Sequence, residues 1–303
     1  MEFDAEFMDD ATCLDYLVGK LYPEGIFCPK CGKVTKHHRL TNRPAYSCQF
    51  CAHHEYPLKG TIFEGSSTSL RLWFQAMYLM ASTRCGISAK QLEREIGVSY
   101  PTAWRMFKLI RSLLDQDADL FSGTVEMDTA YIGGRGMWRH GPQRPGSPGP
   151  DDPYKTPVFG IVQRGTKTPD GKKVMRHGKV HAKVESHPGK RLRANVYPKV
   201  ETGSTVYTDE WQAFRQLNDL YTHGAVDHSK KVYVSGDVHV QTIEGFWSLV
   251  KRGISGVYHG VSSKHLQSYL DEYVFRYNNR DATGRGMFDA FLSRVRKAPQ
   301  TAS

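Results

Sequence analysis

TVEMDTAYIGG, residues 124–134, is the stretch on which the reading of this chain turns. Its β-branched and aromatic residues mark a strand. An acid, Asp128, stands where that strand is expected to end, just ahead of Gly133 and Gly134. A second strand-like run, TVYTDEW (205–211), reaches Asp209 in the same way. Then HVQTIEGFWSLVKRG (239–253), with Glu244 35 residues after Asp209, changes to a helical period. Ile243, Phe246, Trp247 and Val250 form its apolar face, leaving Glu244, Ser248 and Lys251 as an adjacent polar stripe. Lys251 follows Glu244 by seven positions, two helical turns, so both side chains point nearly the same way. Acids this far apart in sequence, gathered by a fold, are what a divalent-metal phosphoryl-transfer site needs. Mg²⁺ or Mn²⁺ takes oxygen ligands, and two ions can stabilise both the attacking and the leaving oxygen. Two assignments compete. Glu126 shares the strand face of Asp128 by the period of two, and Glu210 adjoins Asp209. Taken singly, each acid is more often a solvated or ion-paired residue than a ligand.

Around these acids the texture is mixed α/β. VFGIVQRG (158–165) and KVMRHGKVHAKVE (173–185) read as further strands, the latter alternating Val180, Ala182 and Val184 against His181, Lys183 and Glu185. A short helix is expected within 188–200, and SKHLQSYLDEYVFRYNNR (263–280) has apolar residues at 266, 269, 270, 273, 274 and 277, a helical period. The Gly/Pro-rich segment 135–153 cannot hold regular structure for long.

Upstream, Cys28, Cys31, Cys48 and Cys51 form C-x₂-C-x₁₆-C-x₂-C, while Cys13 and Cys85 stand alone. Paired knuckles of this spacing present four thiolates to one tetrahedral Zn²⁺, and a module this short relies on the metal for its folding energy. Four cysteines close the coordination sphere, so the ion is structural. His37, His38, His53 and His54 read as surface or phosphate-contacting residues. Residues 69–82 are helical, and ISAKQLEREIGVSYPTAWRMFKLIRSLL (87–114) reads as a helix-turn-helix. Ser88 caps its first helix, Gly97 makes the turn and Pro101 opens the second helix. Ala103, Phe107, Ile110 and Leu114 mark the buried face. Thr102, Arg105, Lys108 and Arg111 point outward, as a recognition helix in a major groove requires. An ordinary helical hairpin that braces the next domain has the same pattern, and charge breaks the tie.

The net charge is +10 and the pI is about 9.2. Residues 1–12 hold five acids and no base, leaving 41 basic against 26 acidic residues in the remainder. That balance points to a polyanionic partner. No apolar run reaches the roughly 18 residues of a membrane span. The acidic N-terminus has no signal-peptide core. The expectation is a cytoplasmic, nucleoid-associated DNA-binding protein.

These blocks together resemble the DDE-class insertion-sequence transposases, in the group whose RNase H-like, retroviral-integrase-like catalytic domain follows an N-terminal zinc ribbon. The resemblance covers roughly residues 20–280 and is most specific in EMDTAYIGG (126–134), VYTDEW (206–211) and the block from Ile243 to Arg280. It implies an N-terminal segment and zinc ribbon over 1–65, a helix-turn-helix region over 66–120, a catalytic domain over 121–285 and a C-terminal tail over 286–303, whose stretch MFDAFLSRVRKAPQTAS reads as a short helix and a loose end. Asp128, Asp209 and Glu244 match the family's metal-binding triad, and Lys251 matches the basic residue seven positions after the Glu. Members often carry Asn where this chain has Gln241, which makes Gln241 the rival third position. Carboxylate chemistry favours Glu244, since a neutral amide is the poorer Mg²⁺ ligand. The resemblance further implies cleavage of the terminal inverted repeats, transfer of the freed 3′-OH ends into target DNA, two Mg²⁺ or Mn²⁺ ions, and a homo-oligomer on DNA. Arg252 is the first candidate for a backbone contact, with His259, Lys264, Arg276 and Arg280 behind it. Tyr131, Trp138 and Trp247 are candidates for base stacking. The rival expectations are a DNA-binding regulator with an idle catalytic domain and an RNase H-like nuclease without strand transfer.

Overall fold

The structure is a computed structural model that describes residues 2–83, 85–116, 120–133, 155–167, 174–176, 178–186, 189–209, 214, 217, 219–226 and 237–295. The chain divides into two compact units, one formed by residues 1–114 with 281–303 and the other by residues 115–280.

The first unit opens with α1 (Glu2–Glu6) and α2 (Asp10–Leu21). The Asp9 side chain caps α2 by accepting from the Thr12 amide at 2.7 Å. The cysteine module follows as a hairpin of β1 (Phe27–Cys28) and β2 (Lys33–Val34). A three-stranded antiparallel sheet completes it, formed by β3 (His37–Arg39), β4 (Tyr46–Cys48) and β5 (His54–Glu55). Next comes α3 (Leu70–Ser82), within the helical stretch expected over 69–82, which buries Leu70, Trp73, Phe74, Met77 and Met80, one face at helical spacing. Helix α4 (Ala89–Ile96) is capped by Ser88, whose hydroxyl accepts from the Gln91 amide. It stops at Gly97, where φ is 70° and ψ 26°, a left-handed conformation that glycine adopts without penalty. Helix α5 (Tyr100–Arg111) carries Pro101 in its first turn and buries Ala103, Met106, Phe107 and Ile110.

In the second unit the central sheet contains β6 (Thr124–Gly133) and β7 (Lys155–Gln163). A small two-stranded ribbon, β8 (Thr166–Lys167) with β9 (Val174–Arg176), lies apart from it. The sheet continues with β10 (Val180–Val184), and after α6 (Leu192–Val196) with β11 (Thr205–Asp209) and β12 (Thr222–Val226). Its strand order is β10-β7-β6-β11-β12. The first three strands run antiparallel in sequence, and β11 and β12 are parallel to β6 and to each other. Helices α7 (Gln241–Gly256) and α8 (Ser263–Asn278) end the unit.

The period of two in β6 divides the core. Ala130 and Ile132 pack with Val158, Val162, Ala182 and the apolar faces of α7 and α8. Val125 and Met127 pack on the opposite face with Phe159, Ile161, Val206, Leu192 and Val196. Glu126 and Asp128 therefore lie on the face covered by α7.

The expected strand end at Asp128 is not observed. Strand β6 continues to Gly133 because β7 pairs with it along its whole length, up to Gly133 opposite Lys155. What ends at that level is the neighbouring strand, since β11 finishes at Asp209. Its register with β6 runs from Thr205 opposite Thr124 to Tyr207 opposite Glu126. Two residues further on, Asp209 comes level with Asp128 at the C-terminal edge of β11.

After α8 the chain returns to the first unit as α9 (Gly284–Ser293). There Phe288 joins Phe7 and Phe74 in an aromatic cluster with ring centroids 5.2–5.6 Å apart. Each such buried ring contributes up to about 3 kcal/mol by leaving water. The short helix expected at the start of MFDAFLSRVRKAPQTAS (287–303) is thus present, and it belongs to the core of the unit that begins the chain. The Gly/Pro-rich segment 135–153, with Trp138, and the rival acid Glu210 lie outside the described residues.

Candidate functional site

The cysteine cluster is built from two knuckles. Cys28 closes β1, Cys48 closes β4, and the turns after them carry Cys31 and Cys51. The four sulfurs all lie within 4.8 Å of one another, with Cys28 and Cys51 at 3.5 Å and Cys31 and Cys48 at 3.9 Å. Zn–S bonds of about 2.3 Å in a tetrahedron place sulfurs roughly 3.8 Å apart, so the donor set and its spacing fit one zinc ion. The Thr35 hydroxyl, 3.2 Å from Cys48 Sγ, lowers that thiol to about 5. Cys31, hydrogen-bonded first to Cys51, is pushed up to about 12. The sulfurs hold each other's protons, and metal binding would release them. His37 is occupied with the Thr35 carbonyl, 2.9 Å from its Nδ1.

The acids come together from three elements. Asp128 is in β6, Asp209 ends β11, and Glu244 lies in the first turn of α7. The Asp128 carboxylate accepts from the Thr129 amide at 2.7 Å. Burial pushes its pKa up from 3.8 to about 6, and the negative charges of Asp209 and Glu244 push the same way, against the Thr129 amide and the Trp247 indole. The indole nitrogen is itself buried and completes no hydrogen bond. Glu244 is exposed, as are Ser248 and Lys251 on the same stripe, while Ile243, Phe246, Trp247 and Val250 are buried as their spacing implies. Gln241 opens α7, exposed, nearly one turn before Glu244. The acids are more open than the cysteines. Among the described residues only the cysteine quartet has its ligand atoms within 4.8 Å of one another. Carboxylates repel one another where no cation lies between them, and three hard oxygen donors suit Mg²⁺ or Mn²⁺.

Trp247 is buried against the sheet, a core residue as its place on the apolar face of α7 implies, and it is not free to stack on a base. The cross-strand partner of Asp128 is Gly160, and a Cβ there would come within 2.4 Å of the Trp247 ring. Only glycine lets the indole reach the strand at the level of the acid.

Glu126, the rival to Asp128, is fully buried and engaged in a different task. It accepts from the Thr242 and Ile243 amides at 2.8 and 3.0 Å, from the Thr242 hydroxyl at 2.8 Å and from Arg164 Nε at 2.7 Å. His239, beside it, has its pKa lowered chiefly by burial.

Several expected DNA contacts fare differently. Arg252 is exposed, with Nε 3.3 Å from the Ser248 carbonyl. His259 and Lys264 are exposed too. Arg276 is buried and paired with the buried Glu272 at 2.8 Å, so it cannot reach a phosphate. Arg280 donates to the Gly178 carbonyl at 2.9 Å and covers the Tyr277 ring. On α5, Thr102 is half-buried beside Ser99 and Lys108 is exposed over the Trp104 ring. Arg105 is exposed but reaches back to Ser66 Oγ. Arg111 turns inward over Phe107 and is buried, against the expectation that it faces out. The sequence reading passed over Tyr100 and Trp104, which are 45% and 42% exposed. Their signal was the i, i+4, i+8 ladder Tyr100–Trp104–Lys108 beside the buried stripe.

A cysteine module suited to zinc thus precedes an α/β unit in which acids from two strands and a helix converge, and both parts have counterparts among DNA-transposition proteins. Residues 120–278 match the model of the ISXO2-like transposase domain, and residues 8–54 match that of the transposase zinc-ribbon domain. A protein of Halobacterium salinarum, described as an uncharacterized protein in transposable element ISH50, is 32% identical over 284 residues, covering 89% of this chain and 91% of the relative. An uncharacterized transposase-like protein of Haemophilus influenzae is 29% identical over 87 residues, 28% of this chain and 69% of the relative. The chain belongs to the ISXO2-like transposase family. Among the described residues no helix is long and apolar enough to cross a membrane.

Proposed function

We propose that this transposase binds the terminal inverted repeats of its insertion sequence, hydrolyses the phosphodiester bond at each end and joins the freed 3′-OH to target DNA. The carrying observation is the convergence of Asp209 and Glu244 on Asp128, whose half-buried carboxylate feels both of their charges. An antiparallel meander β6–β7–β10, extended by parallel β11 and β12 with helices on both faces, supports an RNase H-like reading of the catalytic unit.

In this reading Asp128, Asp209 and Glu244 hold Mg²⁺ or Mn²⁺, two ions in all, by their carboxylate oxygens. Bound metal would supply Lewis acidity and charge neutralisation for in-line phosphoryl transfer. The sheet fixes Asp128 and Asp209 on adjacent strands, and α7 brings Glu244 over them. Trp247 excludes water from one side of Asp128, which strengthens the electrostatics there. Lys251, two turns beyond Glu244 on the exposed stripe, contacts a phosphate near the scissile bond, and Arg252 contacts the backbone beside it. In the first unit α5 meets DNA through Thr102, Arg105 and Lys108. Tyr100 and Trp104 add apolar surface for base edges. Two transposon ends call for two copies of the chain on DNA, and the nucleoid is its place of work.

The test incubates the full chain with Mg²⁺ and DNA carrying the repeats that flank its gene. End cleavage by wild type and its loss in Asp209→Ala are expected. Equal cleavage by that variant overturns the reading, and salt-sensitive binding without cutting marks a regulator instead. Separate Glu244→Gln and Gln241→Ala changes identify the third ligand. Loss in the Gln241 variant alone shifts the assignment.

A further inference from the structure

Helix α7 lacks a capping side chain of its own. Val240 occupies its N-cap position and makes no side-chain cap hydrogen bond. The first amides of such a helix need acceptors, and they find one on the sheet. Glu126, on β6 and two residues before Asp128 on the same face, takes the Thr242 and Ile243 amides on Oε2 and the Thr242 hydroxyl on Oε1. Arg164 fills the remaining position on Oε1. A carboxylate offers about four acceptor sites, and all are used, which leaves Glu126 nothing for a metal ion.

Arg164 extends the network in two directions. Its Nη1 and Nη2 donate to the carbonyls of Asp237 and His239 at 2.8 and 2.9 Å, in the segment that leads into α7. Its guanidinium also covers the Tyr207 ring, 4.7 Å from the centroid, on β11 two residues before Asp209. The strand of Asp128, the strand of Asp209 and the helix of Glu244 are thus tied at one buried ion pair. Buried ion pairs are weak contributors to stability, because apolar residues can often replace them without loss. In several systems what they contribute instead is the choice of one arrangement. Helix α7 has a second fixed point at Trp247 over Gly160, and Glu244 lies between the two.

We propose that Glu126 is a positioning residue: with Arg164 and Thr242 it sets the depth and rotation of α7, and so the placement of Glu244 and Lys251 relative to Asp128 and Asp209. The proposal rests on the reading of those acids as one metal centre.

Thr242→Val removes a single hydrogen bond of this network and keeps the shape of the side chain, while Thr242→Ser keeps the bond. Three quantities are measured on the full chain: Mn²⁺ affinity without DNA by electron paramagnetic resonance, kcat and KM for end cleavage, and amide exchange at Thr242 and Ile243. Thr242→Val is expected to weaken Mn²⁺ binding and to lower kcat by roughly tenfold each, with KM for DNA unchanged. Thr242→Ser restores both, and Glu126→Gln exceeds the Thr242→Val loss by about another tenfold. A lowered melting temperature with unchanged Mn²⁺ affinity and kcat in Thr242→Val makes the network merely structural and overturns the proposal, and this variant decides if Glu126→Gln does not fold. If wild type neither binds Mn²⁺ nor cuts, the metal-centre reading fails and exchange decides the clamp alone. Faster exchange of the two amides in Thr242→Val upholds it, and wild-type exchange refutes it.

Discussion

Asp128→Asn should make the metal-free protein more stable while abolishing its chemistry, and the size of the gain follows from the site. Asp128 ordinarily would titrate near 3.8 and here does so at about 6, chiefly through burial and then through Asp209 and Glu244. A carboxyl group whose folded-state pKa is raised holds its proton more tightly folded than unfolded. Its contribution to stability is complete below pH 3.8, declines as pH rises through about 6, and is flat beyond. Each tenfold change in proton affinity corresponds to about 1.4 kcal/mol, so the ionised group costs about 3 kcal/mol at neutral pH. Residual hydration of a half-buried group makes that figure a ceiling. Asparagine keeps an oxygen for the Thr129 amide, 2.7 Å away, and carries no charge. The assay is urea unfolding of both proteins at pH 4, 5, 6 and 7 in magnesium-free buffer without chelator; zinc lost from the cysteine module at the acid end is lost equally from both proteins. Titrations common to both proteins cancel in the difference. The variant's advantage should grow from less than about 1 kcal/mol at pH 4 to as much as about 3 kcal/mol at pH 7. Parallel stability curves would refute the reasoning. Mg²⁺ supplies a second check: at about 100 times its Kd it should return about 2.7 kcal/mol to wild type and much less to the variant.

Three further outcomes follow from the geometry. Gly160→Ala puts a methyl group into the Trp247 ring and should cost about 1–3 kcal/mol in chemical denaturation while also reducing end cleavage; unchanged stability would show that α7 sits higher on the sheet. Cys48→Ser should reduce bound zinc from about one equivalent to none in a colorimetric zinc assay and unfold the module around residues 26–58, and full retention of zinc would contradict the four-sulfur site. Trp104→Ala, an exposed change on α5, should leave the melting temperature unaltered and weaken binding to the terminal repeats by roughly tenfold. Wild-type affinity would remove Trp104 from the interface.

Local patterns were legible in the sequence to the extent that their physics is local. The C-x₂-C pairs needed only their spacing, because two knuckles and one tetrahedral ion dictate the rest. Helices α3, α5, α7 and α8 could be read from apolar periods, and Ser88 and Gly97 from the chemistry of helix ends. Strand ends were harder. The Gly-Gly after Ile132 read as a stop signal and β6 does run to Gly133, but Asp128 stands in mid-strand, because pairing with β7 continues past it, a non-local partner the local pattern does not reveal.

By itself the sequence determined which residues share a face. A period of two puts Glu126 and Asp128 on one side of a strand, and a period of 3.6 puts Glu244 and Lys251 on one stripe of a helix. It had no means of dividing labour among equals, since one carboxylate is chemically like another until its surroundings are known. Tertiary structure decided that Glu126 meets the uncapped end of α7 and a guanidinium, while Asp128 meets two other acids. It decided likewise that Arg276 is consumed by Glu272 and that Arg111 turns in over Phe107, whereas Lys251 and Arg252 remain on the surface. Burial and the nearest opposite charge set the state of an ionisable group, and both are properties of the packed chain.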